Sequence, residues 1–250
     1  MKIKTLFITA IGAFAIANVN AGDKAVVEVV EESADLGATI SAGYDSTYFF
    51  RGVNNGENNV WTSIDYQLAD LPIAIGVLYG NPITTGDSIV NAGHADELDI
   101  YATISKNIGA ADVWLGYTAY IFPEGGGRTG GSSTNEIGAG IGGTAGPIDL
   151  ALGAYYDFDI DGWYLDLTAG HTVEINDVIS LQLAAGVSFG IDYWSAGSEF
   201  NHLLVMAALP IRLTDRATLT PYVAGNFALD AIDAVQDDEV YGGISLAVNF

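Results

Sequence analysis

Along most of the chain, apolar and polar side chains alternate with a period of two, in segments of about ten residues. Between Val60 and Leu68, every second residue starting at Val60 shares one face, while Ser63 and Asp65 belong to the other. The stretch from Ile179 to Phe189 repeats this pattern. A tilted strand that crosses the hydrocarbon of a membrane needs about this length. The pattern therefore predicts an all-β protein built from two-faced strands.

The alternation predicts about twelve strands, an even number, as in single-chain bacterial barrels. The expected ranges are 37–47, 59–68, 72–80, 97–106, 111–122, 134–144, 147–156, 163–173, 178–190, 201–209, 216–228 and 239–250. The short links 69–71, 107–110, 145–146, 174–177 and 210–215 alternate with mostly longer ones at 48–58, 81–97, 123–133, 191–200 and 230–238, the tight hairpin at 157–162 being the exception. Outer-membrane barrels place short turns in the periplasm and long loops outside. We therefore predict a transmembrane antiparallel β-barrel over residues 37–250.

Composition and charge favour the same fold. The chain carries a formal charge of −23, yet 50% of its 250 residues are hydrophobic, so its apolar side chains need a surface that faces lipid. Beyond the N-terminus, no apolar run approaches the roughly 18 to 20 residues of a spanning helix, and closed barrels are the alternative that satisfies the backbone in a bilayer. A soluble β-sandwich would also have alternating strands, but its connections would not divide into short and long sets.

The N-terminus has the features of an export signal. Lys2 and Lys4 precede the apolar stretch 6–17, and small residues end at Ala21, which predicts a secretory signal peptide over residues 1–21. An uncleaved anchor helix is the alternative. The acidic, valine-containing segment 22–36 is expected to form a periplasmic arm or to be disordered. Export through this signal predicts a location in the cell outer membrane.

The last predicted strand ends the chain on an aromatic residue. Val240, Ile244, Leu246 and Phe250 share its apolar face, and Phe250 is expected at the periplasmic interface, where aromatic girdles lie. Such a strand resembles the assembly signal of outer-membrane barrels, which implies the barrel-assembly machinery as a partner.

A motif near the start of the barrel supports a family resemblance. The segment Ser46-Thr47-Tyr48-Phe49-Phe50-Arg51-Gly52 looks like the Ser-x-Tyr-x-Phe-Arg-Gly motif of the porins of the TorF type. The resemblance covers this motif, the strand rhythm and the last strand, and implies that Arg51 and Gly52 lie at the outer end of the first strand. Arg51 then either reaches into the lumen as the cationic wall of a constriction or pairs with a neighbouring carboxylate to hold the first long loop.

An acidic hairpin raises the question of a metal site. Asp157, Asp159 and Asp161, followed by Gly162, match the front of a calcium-binding loop, but Thr168 stands where that loop has a bidentate glutamate. A hairpin tip with solvated acids is the alternative, because alternate carboxylates on a strand can point together without binding an ion.

The sequence carries no recognisable catalytic constellation. It has no cysteine, and none of its three histidines is followed two residues later by the serine that enzymatic barrels of the phospholipase type require. The glycine-rich segment 125–131 is not followed by Lys-Ser or Lys-Thr, so it does not match a phosphate-binding loop. We therefore expect that the protein is not an enzyme, that it binds no cofactor and that it has no nucleic acid partner.

The polar faces of the predicted strands would line a lumen. The candidate pore-lining residues are Asp45, Arg51, Asp65, Asp99, Tyr101, Trp114, Tyr120, Glu136, Asp166 and Tyr222. About twelve strands lie between filled barrels of eight strands and open porins of sixteen or more, which predicts a narrow, porin-like channel for passive diffusion of small solutes. A plugged barrel with a structural, adhesive or envelope-tethering role is the alternative.

Charge adds an expectation about selectivity. The predicted outer loops carry many acids against two cations, Arg51 and Arg128, and a mouth of one sign concentrates counter-ions. The channel is therefore expected to favour cations. Divalent ions bridging the loop carboxylates to lipopolysaccharide would instead leave selectivity weak. Lipid and lipopolysaccharide are the expected surroundings, and the oligomeric state is left open.

Overall fold

The computed structural model describes residues 36–84, 96–123 and 131–250. The predicted signal peptide and nearly all of the predicted arm lie outside these residues. Within them the chain forms β1(Ala38–Phe50), β2(Val53–Gln67), β3(Ile73–Thr84), β4(Glu97–Ile108), β5(Ala111–Ile121), β6(Ser133–Ala145), β7(Ile148–Asp157), β8(Gly162–Glu174), β9(Ser180–Ile191), β10(Ser198–Ala208), β11(Ile211–Arg212), β12(Ala217–Ala228) and β13(Glu239–Asn249).

The strands form one closed antiparallel sheet. Each strand from β1 to β10 pairs with the next, β1 also pairs with β13, β13 pairs with β12, and β12 returns to β10. The two-residue β11 pairs with β12 beside this seam, within the predicted short link 210–215. Twelve long strands therefore make the barrel, and the predicted fold is confirmed with one short strand added.

Both described chain ends meet at one end of the barrel. The Leu36 amide donates to the Phe250 carbonyl at 2.8 Å, and the Phe250 amide donates to the Ala38 carbonyl at 2.9 Å. Short turns such as 109–110 and 146–147 share this end. In transmembrane barrels the short turns lie on the periplasmic side, so we call this the inner end and the opposite one the outer end.

The exterior of the barrel is apolar, as the alternation predicts. The apolar side chains that point outward from the strands are exposed, among them Ile40, Val60, Ile64, Ile75, Ile100, Ile104, Leu115, Ile137, Leu152, Leu167, Leu183, Val205, Val223 and Leu246. The hydroxyls of the outward tyrosines Tyr44 and Tyr117 bond Asn58 and Asn135 towards the outer end. Aromatic rings with one polar tip are typical of membrane interfaces. Within the described ranges, no helix is long and apolar enough to span a membrane.

The first outer connection differs from its prediction. Residues 48–58 are not a long loop, because β1 continues to Phe50, β2 begins at Val53, and a two-residue turn joins them. Both turn residues have positive φ, 49° at Arg51 and 84° at Gly52, a combination found in type I′ hairpin turns. The ladder shifts register between Tyr48 and Phe49, and such bulges bend a strand. The hairpin therefore continues the two strands but leaves the barrel wall.

Candidate functional site in the lumen

The tip of this hairpin lies inside the barrel. We call residues 48–56 the lumen hairpin. Every residue in it is buried, including Phe50 and Val53, which are 1% and 0% exposed. Alternate residues of a strand face opposite sides, so complete burial means that protein surrounds both faces of the hairpin. Exposing its aromatic and aliphatic side chains to water would cost free energy, and the lumen encloses them away from water.

Hydrogen bonds hold the backbone of the lumen hairpin. The side-chain Nδ2 of Asn201 donates to the Arg51 carbonyl at 2.6 Å, and the Trp194 indole donates to the same carbonyl at 3.1 Å. The Asn226 side chain donates to the Gly52 carbonyl at 2.9 Å. These three donors lie on β10, β12 and the segment after β9, so the turn is attached to a wall that is remote in sequence.

A bulge in β10 places two of the neighbouring side chains. The pairing of β10 with β9 shifts register between Phe200 and Leu203, and the two residues between them, Asn201 and His202, are both buried. A bulge allows consecutive side chains to turn towards the same side. As a result Asn201 reaches the turn, while His202 lies against Gly52 and contacts the Ser188 hydroxyl at 2.7 Å.

Arg51 projects from the turn into a cage. Its guanidinium nitrogens lie 2.5 and 2.8 Å from the two Glu136 carboxylate oxygens, and one of them is 2.6 Å from the Tyr193 hydroxyl. The guanidinium carbon lies 4.4 to 5.0 Å from the ring centroids of Tyr164, Tyr155, Tyr193 and Phe50. Cations over aromatic faces at these distances are attracted to the ring quadrupole. Both sequence-based readings of Arg51 therefore describe part of its position: it enters the lumen and is neutralised there.

Three aromatic clusters pack around the lumen hairpin. Phe50 and Tyr48 pack with Tyr120 and Phe122, and Trp194 joins them. On the other side, Phe49 packs with a second cluster made of Leu204, Ala224 and Tyr241, joined by Met206 and Tyr222. The third cluster is formed by Tyr155, Tyr164 and Tyr193, with Trp114, Ile160 and Trp194 packed against it. The lumen is therefore narrowed at the level of the hairpin.

Acidic side chains line the wall on the lumen side. The Asp45 carboxylate accepts hydrogen bonds from the Tyr222 hydroxyl at 2.6 Å and from Asn59 at 3.3 Å. Asp65 accepts from the Tyr101 hydroxyl and from Ser63. Asp45 is buried, whereas Asp65 is only half-buried. Both acids are therefore held by hydrogen bonds on the lumen wall, and Asp65 is the more open to water.

The remaining predicted lumen residues lie on the same side. Glu136 and Asp99 are buried, and Asp166 is half-buried. Trp114 rests against Tyr155, with ring centroids 5.6 Å apart. The fold brings Arg51, Glu136, Tyr120 and Asp166 into one region, since Tyr120 donates to Glu136 at 3.3 Å and Asp166 interacts electrostatically with Arg51. Elsewhere on the lumen wall there are two hydrogen-bonded pairs, Asp45 with Tyr222 and Asp65 with Tyr101.

The acidic hairpin between β7 and β8 gives the metal prediction no support. Asp157 is buried and accepts from Thr134 at 2.6 Å and from two backbone amides of its own turn. Asp159 accepts from the Asn135 amide, and Asp161 accepts from the Tyr156 hydroxyl. Among the residues that the structure describes, no group of three or more histidine, aspartate or glutamate side chains is arranged to hold a metal ion.

Sequence reasoning missed several residues of this site. Tyr193 and Trp194 lie in a predicted outer loop, and Asn201, His202 and Asn226 carry no motif. One available signal was Gly52, because a two-residue hairpin turn needs positive φ and glycine adopts that conformation readily. No local pattern indicated that this hairpin would fold inwards.

The barrel is similar in fold to several solved porins and outer membrane channels. The structure is similar to the KdgM porin, with a TM-score of 0.55, 8% identity and coverage of 85% of this chain and 99% of that one. It is also similar to an outer membrane channel from Pseudomonas putida F1, with a TM-score of 0.51, 13% identity and coverage of 89% and 100%. The NanC porin has a TM-score of 0.50, 11% identity and coverage of 85% and 98%.

A scan against protein-family models finds no match, and a search of curated proteins finds none either. At 8 to 13% identity, the structural similarities show a shared architecture. The chain therefore has the fold of a twelve-strand transmembrane β-barrel, the fold of these porins and channels.

Proposed function

We propose that this protein is an outer-membrane channel for passive diffusion of small solutes and that it favours cations. The observation that carries the proposal is the charge of the lumen. In the described part of the barrel, the acids Asp45, Asp65 and Asp166 point inwards, and the one inward arginine, Arg51, is neutralised by Glu136. The other described basic side chains, Lys106, Arg212 and Arg216, are exposed towards the inner end.

A lumen lined by acids concentrates counter-ions, because the low-dielectric barrel wall focuses the field along the pore. Exposed charges beyond a Debye length of about 8 Å are screened at physiological ionic strength. Lumen acids should therefore affect selectivity more than acids in the outer loops do. This expectation singles out Asp65 and Asp166, which are half-buried on the lumen side.

Two similarities support a channel in the outer membrane. Porins and an outer membrane channel share the fold, and residues 46–52 resemble the motif of the TorF-type porins. As part of this proposal, we infer that the chain is related to the TorF-type porins. In it, the lumen hairpin is the constriction of the channel, and Arg51 and Gly52 form its tip.

A second candidate function is a plugged barrel with a structural, adhesive or tethering role. The observation that favours it is the packing of three aromatic clusters around the lumen hairpin. Such packing stabilises a closed lumen, since aromatic contacts contribute beyond their buried area. The two candidates differ in one measurable property, which is conductance.

Single-channel recording on purified protein in planar bilayers tests the proposal. We expect discrete openings and a reversal potential that indicates cation preference in a potassium chloride gradient. The double variant Asp65→Asn, Asp166→Asn should reduce that preference, whereas Asp233→Asn, an exposed residue of the outer connection between β12 and β13, should leave it nearly unchanged. Absence of openings would favour the plugged barrel, and anion preference in the wild type would contradict the selectivity.

A further inference from the structure

The wall around Arg51 has the composition of a binding site for a planar cation. Glu136 on β6, Tyr155 on β7, Tyr164 on β8 and Tyr193 after β9 supply a carboxylate, a hydroxyl and three ring faces. None of these four residues belongs to the lumen hairpin. Tyr164 also contacts both other tyrosines, with centroid distances of 6.3 Å to Tyr155 and 5.5 Å to Tyr193. The wall rings therefore support one another without help from the hairpin.

The geometry selects a guanidinium group over an ammonium group. Both nitrogens of the Arg51 fork reach Glu136, one oxygen each, and only a planar group with parallel N–H bonds makes this two-point contact. Flat ring faces within 5.0 Å of the guanidinium carbon add stacking, which a compact ammonium uses less well. A cage of this kind binds guanidinium through shape as well as charge.

The present occupant of the cage is held under backbone strain. Arg51 has a φ of 49°, a left-handed conformation that costs a non-glycine residue free energy. Asparagine and glycine adopt this conformation more readily than arginine does. The arginine side chain therefore occupies the cage through its contacts there, despite an unfavourable backbone.

We propose that this cage is a recognition site for solutes carrying a guanidinium group, and that Arg51 is a tethered occupant with which such a solute competes. The assignment of these compounds as solutes of the channel rests on the proposed function, whereas the binding site itself does not. The cage lies near the outer end, because β6 begins at the outer end with Ser133 and Glu136 is only three positions further along the strand. An incoming solute that displaces Arg51 breaks the ion pair that joins the lumen hairpin to Glu136 on β6.

Binding of a small probe to an emptied cage tests this inference. Arg51→Ala removes the tethered guanidinium and leaves Glu136 and the three tyrosines in place. Purified protein in detergent micelles would be titrated with ethylguanidinium chloride or ethylammonium chloride at matched ionic strength, well below denaturing concentrations, with the midpoint of thermal unfolding as the readout. We expect a saturable increase in the midpoint, with ethylguanidinium binding about tenfold more tightly than ethylammonium because it makes two charge-assisted hydrogen bonds.

Two control proteins make the result specific. In the wild type, the tethered arginine competes at a high effective concentration, so ethylguanidinium should bind at least about tenfold more weakly than in Arg51→Ala. Adding Glu136→Gln to Arg51→Ala removes the carboxylate and should abolish the preference for ethylguanidinium. If Arg51→Ala does not fold, Arg51→Lys replaces it, since an ammonium group leaves the two-point contact to Glu136 unfilled and is expected to yield to ethylguanidinium more readily than arginine does.

Equal effects of the two cations, equal affinity in wild type and variant, or a preference that survives Glu136→Gln would overturn the inference. These readouts are equilibrium measurements in micelles and do not depend on conduction. A barrel that binds ethylguanidinium selectively but never conducts contradicts only the proposed function. A barrel that conducts without selective binding contradicts only the cage.

Discussion

The guanidinium of Arg51 and the carboxylate of Glu136 form a two-point ion pair across the lumen, although 85 positions separate them in the sequence. Both side chains are buried, 7% and 1% exposed. Removing one partner of a buried pair leaves an uncompensated charge, which costs about 3 to 5 kcal/mol. Glu136→Gln should therefore lower the free energy of unfolding by that amount, measured by urea titration in lipid vesicles with tryptophan fluorescence.

The matched control for this variant is Glu174→Gln, which makes the same change at the exposed inner end of β8. Surface substitutions are usually within about 0.5 kcal/mol of the parent. If the two variants were equally stable, the pair between Arg51 and Glu136 would not hold the lumen hairpin.

Gly52 determines how closely the hairpin tip approaches the wall. It has a φ of 84°, and a Cβ at this position would lie 2.6 Å from the His202 ring and 2.9 Å from Ile232. Gly52→Ala should therefore displace the tip, and we expect a larger single-channel conductance. Gly146→Ala introduces a similar strain at a φ of 63° with no atom within 4 Å. That control should lose about 1 kcal/mol of stability and keep the parental conductance, and an equal conductance for both variants would argue against the hairpin as the constriction.

The two faces of β4 should differ in how strongly a new charge destabilises the barrel. Ile104 is exposed on the lipid side, whereas its neighbour Thr103 is half-buried on the lumen side. A lysine near the midplane of the lipid face costs roughly 2 to 4 kcal/mol. Ile104→Lys should therefore reduce the folded fraction in vesicles, measured by heat-modifiable gel mobility, much more than Thr103→Lys. The reverse order would mean that the register is shifted by one residue.

Phe250 combines a backbone role with a side-chain role. Its amide and carbonyl bond Ala38 and Leu36, and its ring is exposed at the inner end, where aromatic girdles lie. Phe250→Ala keeps both backbone bonds and removes the ring. We expect the variant to fold in detergent nearly as well as the wild type but to reach the outer membrane in lower yield, measured by membrane fractionation. An unchanged yield would contradict the prediction that this ring contributes to an assembly signal.

Much of the barrel could be predicted from the sequence because its information is local. Side chains of a strand alternate with a period of two, so the pattern around Ile64 and Asp65 was sufficient to assign one to lipid and the other to the lumen. The same reasoning placed Gln182 inside and Leu183 outside, as the structure has them. Strand number and the inner turns followed from the spacing of such segments.

The lumen hairpin and the cage depended on tertiary structure. Residues 48–58 looked like an outer loop because no local pattern distinguishes a segment that water surrounds from one that the barrel encloses. The partner of Arg51 follows from closure of the sheet, which brings β6 to β9 opposite β1 and β2 and places Glu136, Tyr155, Tyr164 and Tyr193 around one point. The sequence by itself determined which face of each strand meets lipid, since that is a property of neighbouring residues. Only the closed barrel decided what fills its lumen, because those contacts join residues that are far apart in the chain.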